Sequence, residues 1–345
     1  MNESANPVLA EVWRGEMLEC VHRGTAVVAT AAGEVVEAWG DPARVILPRS
    51  SYKMIQALPL VESGAADAAG LNSEHLALAC ASHNGAMVHT RLAASWLAGI
   101  GLAEHDLRCG AHTPGDPEAA HALYGAGAAP GQFHNNCSGK HCGFLTMNRH
   151  LRGGPEYLEL DHPLQQAVRL TVEEVSGETV SGHAIDGCSA PNFAVSLKGL
   201  ATAMARFATA GASFTGASFT GASFTGARAG AARRLVEAMA AHPVLVGGEG
   251  RATTDLIRAC AGRAVVKTGA EGVYIAILPK RGLGIALKID DGNARGSAAA
   301  IAALLARHGA LEREHPTCAA LADAPIRNCR GFAHGHLRAA RTLLG

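Results

Sequence analysis

Between residues 18 and 39, β-branched and apolar side chains (Val21, Val27, Val28, Val35, Val36) flank Ala31-Ala32-Gly33, a pattern that predicts a hairpin. After Pro48 the spacing turns helical. Residues 73–82, 89–100 and 163–175 carry apolar positions three and four apart, separated by Gly- and Pro-rich connections around 110–117 and 125–131. From Arg263 the pattern returns to strands, over 264–267, 272–278 and 284–289, with Pro279-Lys280-Arg281-Gly282 as the tight connection, and an Ala- and Leu-rich stretch at 293–308 predicts a final helix. Strands at both ends with helices between predict a mixed α/β (α+β) fold. An antiparallel sheet formed from both termini is flanked by helices and carries an inserted, mostly helical subdomain. The expected organisation is a single catalytic domain over 1–345, with 1–47 and 263–345 forming the sheet and 48–262 the helical part.

One segment breaks the pattern. Ala212-Ser213-Phe214-Thr215-Gly216 recurs twice more up to Gly226, a period of five that matches no solenoid. With small residues and one Phe per unit it cannot bury a core, so residues 211–226 are expected to be a mobile surface loop without a catalytic role.

Charge and composition exclude several classes. Thirty basic residues balance thirty acidic ones, and no run of Lys or Arg is dense enough to track a phosphate backbone, so nucleic acid is not an expected partner. Glu3, Glu11 and Arg14 stand where a secretory apolar core would sit, and no apolar stretch is long enough to span a bilayer. A soluble, cytoplasmic protein without a membrane partner is the expectation. The nine cysteines are then expected to be thiols, some of them available to a metal.

Three short motifs carry the chemistry: Ser50-Ser51-Tyr52-Lys53, Ser82-His83-Asn84 and Lys267-Thr268-Gly269. In this order they are the signature of penicillin-binding-type serine enzymes. Positions three apart share a helix face, so Lys53 reaches Ser50 more easily than Ser51, and Ser50 is the candidate nucleophile at a helix start after Pro48. A serine hydroxyl needs a base to take its proton, and Lys53 can be that base only when neutral, a condition favoured by a second cation such as Lys267. Ser82 is the candidate relay. Lys267-Thr268-Gly269 ends the strand at 264–267, and the next backbone N–H, that of Ala270, would stand opposite that of Ser50 as an oxyanion hole, worth roughly 3 to 4 kcal/mol per donor. Taken singly, the first motif also fits an exposed helix N-terminus with a solvated lysine, and the second a turn that ends a helix.

The runs 47–53, 79–85, 134–142, 186–189 and 267–273 closely resemble the bacterial L-asparaginase II family typified by the rhizobial enzymes, and the likeness extends over nearly the whole chain except the repeat. The resemblance implies a serine β-lactamase/glutaminase-like fold, a homodimer, and hydrolysis of L-asparagine to L-aspartate and ammonia. It assigns chemistry to Ser50, Lys53, Ser82 and Lys267, and places Cys137, Lys140 and Cys188 at a Zn²⁺ site with Asp186 beside it. Donor chemistry alone would instead choose Cys137, Cys188 and His141, because a lysine must lose a proton to ligate; buried reduced thiols are the plainer alternative. A zwitterionic substrate needs an anion for its ammonium, for which Asp186 is the candidate, and donors for its carboxylate, for which Arg49 and Asn84 are candidates. Two rival readings use the same residues. One is a glutaminase or a penicillin-binding-type acyl transferase, and the other a catalytically silent protein that binds an amino acid or zinc.

Overall fold

The computed structural model describes residues 6–210 and 224–344. Most of the repeat, residues 211–223, lies outside the described residues. The chain divides into two compact units, one of Met1–Ser51, Val195–Ser223 and Asp255–Gly345, the other of Tyr52–Ala194 and Phe224–Thr254.

The first unit is built on an antiparallel sheet in the order Asp323–Arg327, Ala333–Ala339, Val8–Arg14, Met17–Thr30, Leu283–Ile289, Val273–Leu278, Val265–Gly269, with Val35–Trp39 also paired to Met17–Thr30. The hairpin at 18–39 and the three strands after Arg263 fall where the alternation placed them. Three strands do not. Val8–Arg14 precedes the expected hairpin, and the helix Ala294–Arg307 is followed by Pro316–Ala322 and the strands Asp323–Arg327 and Ala333–Ala339, so it is not the final element. The late strands are poor in β-branched residues, and Pro325 lies in the outermost of them, where a missing donor costs no ladder bond. Ala333–Ala339 owes its strand state to pairing with Val8–Arg14 at the other end of the sequence, and Asp323–Arg327 then pairs onto its free edge.

The strands Val273–Leu278 and Leu283–Ile289 hold the core. Ile275, Ile277, Leu278, Ile285, Leu287 and Ile289 are fully buried, each worth about 1.5–3 kcal/mol over its exposed state. Two helices cover this sheet. Ala294–Arg307 starts at Asn293, whose side chain accepts from the Arg295 N–H at 3.0 Å, and Leu197–Thr209 starts at Ser196, which accepts from the Gly199 N–H at 2.8 Å. Residues 197–209, which the sequence pattern put with the helical part, therefore pack on the sheet. Gly284 makes this possible, since a Cβ there would lie 2.1 Å from the Ala201 carbonyl oxygen and 2.3 Å from the Ala205 nitrogen.

In the second unit the helix Lys53–Glu62 is central: every residue from Lys53 to Val61 is buried, and it packs against Ser138–Leu151, Pro163–Ser176 and Gly226–Ala241. Arg228 ties it to neighbouring helices through Glu62, at 2.8 Å, and Glu174, at 2.5 Å. A second close approach sets the start of Ser138–Leu151. A Cβ on Gly139 would stand 2.2 Å from the Leu78 carbonyl oxygen, so the helices Ser73–Ala79 and Ser138–Leu151 meet backbone to backbone.

Gly284→Ala should force the helix Leu197–Thr209 off the sheet and lower stability by roughly 1–3 kcal/mol. Urea unfolding would measure this, and an unchanged midpoint would contradict the close approach.

Candidate active site

Two groups of side chains, one in each unit, contain the candidate residues. In the helical unit the Lys53 side chain is 1% exposed, and its Nζ has four polar atoms within hydrogen-bonding distance: the Ala81 carbonyl, Ser82 Oγ at 3.2 Å, the Asn136 carbonyl at 3.4 Å and Cys137 Sγ at 3.1 Å. An amino group so enclosed is stable only with polar neighbours, which two chain segments supply. Residues 81–82 leave the helix Ser73–Ala79 in extended form, anchored by the Ser82 N–H donating to the Val246 carbonyl at 2.9 Å. Residues 136–137 lead into Ser138–Leu151, with Cys137 at its N-cap position.

Lys140 lies one turn on. Its Nζ donates to Cys188 Sγ at 3.0 Å, and Cys188 is carried on the turn between the short strands His183–Ile185 and Pro191–Phe193. The Cys137 thiol is hydrogen-bonded to Cys188. The hydrogen bond from Cys137, opposed by burial and aided by Lys140, lowers the Cys188 pKa to about 4, while the same bond and burial raise that of Cys137 to about 12. Burial disfavours a charge on Lys140, yet Cys188, Cys137 and Asp186 together outweigh it and raise its pKa. This is an ammonium–thiolate–thiol arrangement. Asp186 accepts from the Gly187 N–H at 2.8 Å and from Asn192 Nδ2 at 3.3 Å, which orients its carboxylate.

Of the expected metal donors, Lys140 Nζ contacts Cys188 Sγ at 3.0 Å; two sulfurs with a nitrogen are donor types that suit Zn²⁺ only when Lys140 is deprotonated, a state its thiol and carboxylate neighbours oppose in the metal-free site. Among the described residues no group of three His, Cys, Asp or Glu side chains is placed to hold a metal ion. His141, the other candidate ligand, is turned away: its Nδ1 bonds Tyr157 Oη at 2.8 Å and its Nε2 is buried without a partner. Adjacent helical positions face different directions, so Lys140 and His141 could not both point at Cys188.

In the sheet unit the serine turn is a single 3₁₀ turn, Arg49–Tyr52, and the α-helix begins only at Lys53, so Ser50 precedes the helix rather than opening it. The cause is local. Arg49 has φ +53°, a left-handed conformation that a non-glycine residue rarely adopts and that interrupts helical propagation. The two serines differ clearly. Ser51 is fully buried and its Oγ donates to the Pro48 carbonyl at 2.7 Å, whereas Ser50 is partly exposed. The end of the strand Val265–Gly269 lies against this turn, since a Cβ on Gly269 would come within 2.6 Å of the Pro48 oxygen and 3.1 Å of the Ser51 nitrogen. Glycine is required there, and Ala270 is the next residue along the chain. Lys267 is fully buried, with its Nζ donating to the Thr268 carbonyl at 2.8 Å.

Asn84 is committed within the helical unit. Its Oδ1 accepts from the Ala86 N–H at 3.3 Å, its Nδ2 donates to Asp116 at 3.3 Å, and Gly248, at φ +98°, packs against the amide. These bonds make it a brace of the turn. Two residues without an assigned role in the sequence are central here. Tyr52 is buried, and its Oη accepts from the Phe193 N–H at 3.2 Å and from Gln56 Nε2 at 3.3 Å, which fastens the hairpin bearing Asp186 and Cys188. Its place inside the first motif was the available signal. The other is His83.

A family model described as L-asparaginase II matches residues 10–339. Among solved structures, Mglu in its native form aligns with 15% identity and a TM-score of 0.46, over 85% of this chain and 66% of that one. Mglu in its tris and glutamate form aligns with 16% identity and a TM-score of 0.45, over 85% and 60%. A β-lactamase from Mycobacterium bovis aligns with 15% identity and a TM-score of 0.41, over 82% and 94%. The chain thus spans about two thirds or less of the length of these two Mglu chains. No curated protein matches in sequence. No helix among the described residues is long and apolar enough to cross a membrane.

In chelator-treated protein, Cys137→Ala should raise the Cys188 pKa from about 4 by removing the thiol that donates to it. Thiolate ultraviolet absorbance followed against pH checks this; a Cys188 that still ionises at the same pH in the variant would assign the shift to Lys140 alone.

Proposed function

Because the chain belongs to the L-asparaginase II family, we propose that it is an amidohydrolase that hydrolyses L-asparagine to L-aspartate and ammonia through a serine nucleophile. The observation that carries the mechanism is the contact of Lys53 Nζ with Ser82 Oγ at 3.2 Å inside a buried polar shell. That pair can pass a proton without involving bulk water.

Ser50, partly exposed where Ser51 is sealed and bonded, attacks the side-chain carboxamide carbon, and Lys53, three residues along, accepts its proton. The Ser50 and Ala270 amides stabilise the tetrahedral oxyanion, and Gly269 permits the close approach on which this depends. The proton then returns through Lys53 and Ser82 to the departing nitrogen, ammonia leaves, and water hydrolyses the acyl-enzyme by the reverse transfers. Lys267 contributes a second positive charge, and Asp186 and Arg49 receive the substrate's ammonium and carboxylate. Zn²⁺, when bound, would be held by Cys137, Lys140 and Cys188 and would neutralise the thiolates, fixing the turn on which Asp186 stands two residues from Cys188. Asp186 would then meet the substrate already oriented.

Purified protein should release ammonia from L-asparagine, and Ser50→Ala should lower the rate by 10³-fold or more, roughly the loss seen when a covalent nucleophile is removed, without changing circular dichroism. Activity near the parent level would move the nucleophile elsewhere. Chelation should raise KM more than it lowers kcat, since the metal is assigned to orienting Asp186, and a fall confined to kcat would contradict that placement.

A further inference from the structure

Lys53 is gripped by two segments, 81–82 and 136–137, and one residue beyond each of them a side-chain bond joins the two. His83 Nε2 lies 3.0 Å from Ser138 Oγ. His83 is 2% exposed, Ser138 fully buried, and the imidazole stacks on His89 with centroids 4.7 Å apart. The direction of every bond in this link can be deduced. Ser138 Oγ gives its one proton to the Phe133 carbonyl at 3.1 Å, so toward His83 it can only accept, and His83 Nε2 must carry hydrogen. On the other side Nδ1 receives the Gly85 N–H at 3.1 Å, so that nitrogen must be bare. The ring is therefore the neutral Nε2–H tautomer. A cation would set Nδ1–H against the Gly85 N–H. Burial, with His89, Lys53, His112 and His134 around it, also keeps the His83 pKa well below the ordinary imidazole value.

We propose that His83 is a positioning residue: locked as a neutral imidazole between the Gly85 N–H and Ser138 Oγ, it clamps the turn bearing Ser82 to the helix start bearing Cys137 and thereby sets Ser82 against Lys53. The role is distinct from acid–base chemistry, because both ring nitrogens are occupied by the scaffold. It rests on the reading of Lys53 and Ser82 as the proton-transfer pair. Loss of the clamp lets two separate neighbours of Lys53 drift, and the cost falls on the proton transfers rather than on substrate binding.

The test uses His83→Phe, His83→Gln, Ser138→Ala and the double variant His83→Phe/Ser138→Ala in the full chain. His83→Phe should lower kcat roughly 10- to 100-fold, the scale expected for a small misplacement of reacting groups, with KM little changed. His83→Gln, which keeps a donor directed at Ser138, should recover part of that loss. The double variant should lose clearly less than the sum of the two single losses, because both changes break the His83–Ser138 bond, even though each also removes one further bond, to the Gly85 N–H and to the Phe133 carbonyl. Additive losses, an effect on KM alone, or undiminished kcat in His83→Phe would overturn the clamp. If His83→Phe does not fold, His83→Gln and Ser138→Ala decide the matter through the same split between kcat and KM. A readout free of turnover is ¹⁵N-edited NMR of the imidazole, which should show the Nε2–H tautomer across the pH range in which the protein stays folded. A cationic or Nδ1–H ring would end the proposal even if wild-type protein released no ammonia, a failure that by itself would strike only the hydrolytic reading.

Discussion

A lysine amino group removed from water needs polar neighbours wherever it goes, and the helical unit is organised around meeting that need for Lys53. Leaving such a group buried and unpaired would cost about 3–5 kcal/mol, a large fraction of the stability of an ordinary domain. The Ala81 and Asn136 carbonyls, Ser82 Oγ and Cys137 Sγ meet the need together. The four come as two adjacent pairs, 81–82 and 136–137, each in the non-helical chain beside a helix end. Their convergence therefore depends on everything that fixes the ends of the neighbouring helices, including the Ser82 N–H on Val246 and the backbone contact between Gly139 and Leu78.

The same economy of space recurs wherever the candidate site is shaped. Gly269 against Pro48, Gly139 against Leu78 and Gly248 against Asn84 each hold two segments closer than a side chain would allow. Arg49 adds a left-handed backbone just ahead of Ser50, so the turn that bears the proposed nucleophile does not continue as regular α-helix or strand. Residues of this kind contribute no functional group. They decide where the functional groups stand.

The sulfur–amine pair of the helical unit shows how strongly neighbours set chemistry. Cys188 and Cys137 are both buried thiols by composition, yet one is an acid and the other is not, because the hydrogen bond between them and the ammonium of Lys140 break their equivalence. At Cys142 burial, with a smaller contribution from Cys109, raises the thiol pKa to well above the ordinary value.

Much was legible before any coordinates. Alternation around residues 18–39 and after Arg263 marked the sheet and helical spacing marked 73–82, 89–100 and 163–175, because such signals are local and periodic; short motifs singled out Ser50, Lys53, Ser82 and Lys267 as candidates, and the family resemblance added Cys137, Lys140 and Cys188. What remained hidden was long-range. The strands Val8–Arg14 and Ala333–Ala339 pair with each other from opposite ends of the sequence, Asp323–Arg327 adds to the edge of that pair, and the helix Leu197–Thr209 joins the sheet because Gly284 admits it. The preference for Ser50 over Ser51 had rested on spacing, whereas the hydrogen bond that ties Ser51 down could be seen only in three dimensions. Composition and spacing thus determined which residue types this protein brings to its chemistry and on which elements. Tertiary structure decided which nitrogen of His83 bears a proton, which of two thiols is ionised, and which lysine touches which serine, because those depend on groups that meet only after the chain has closed on itself.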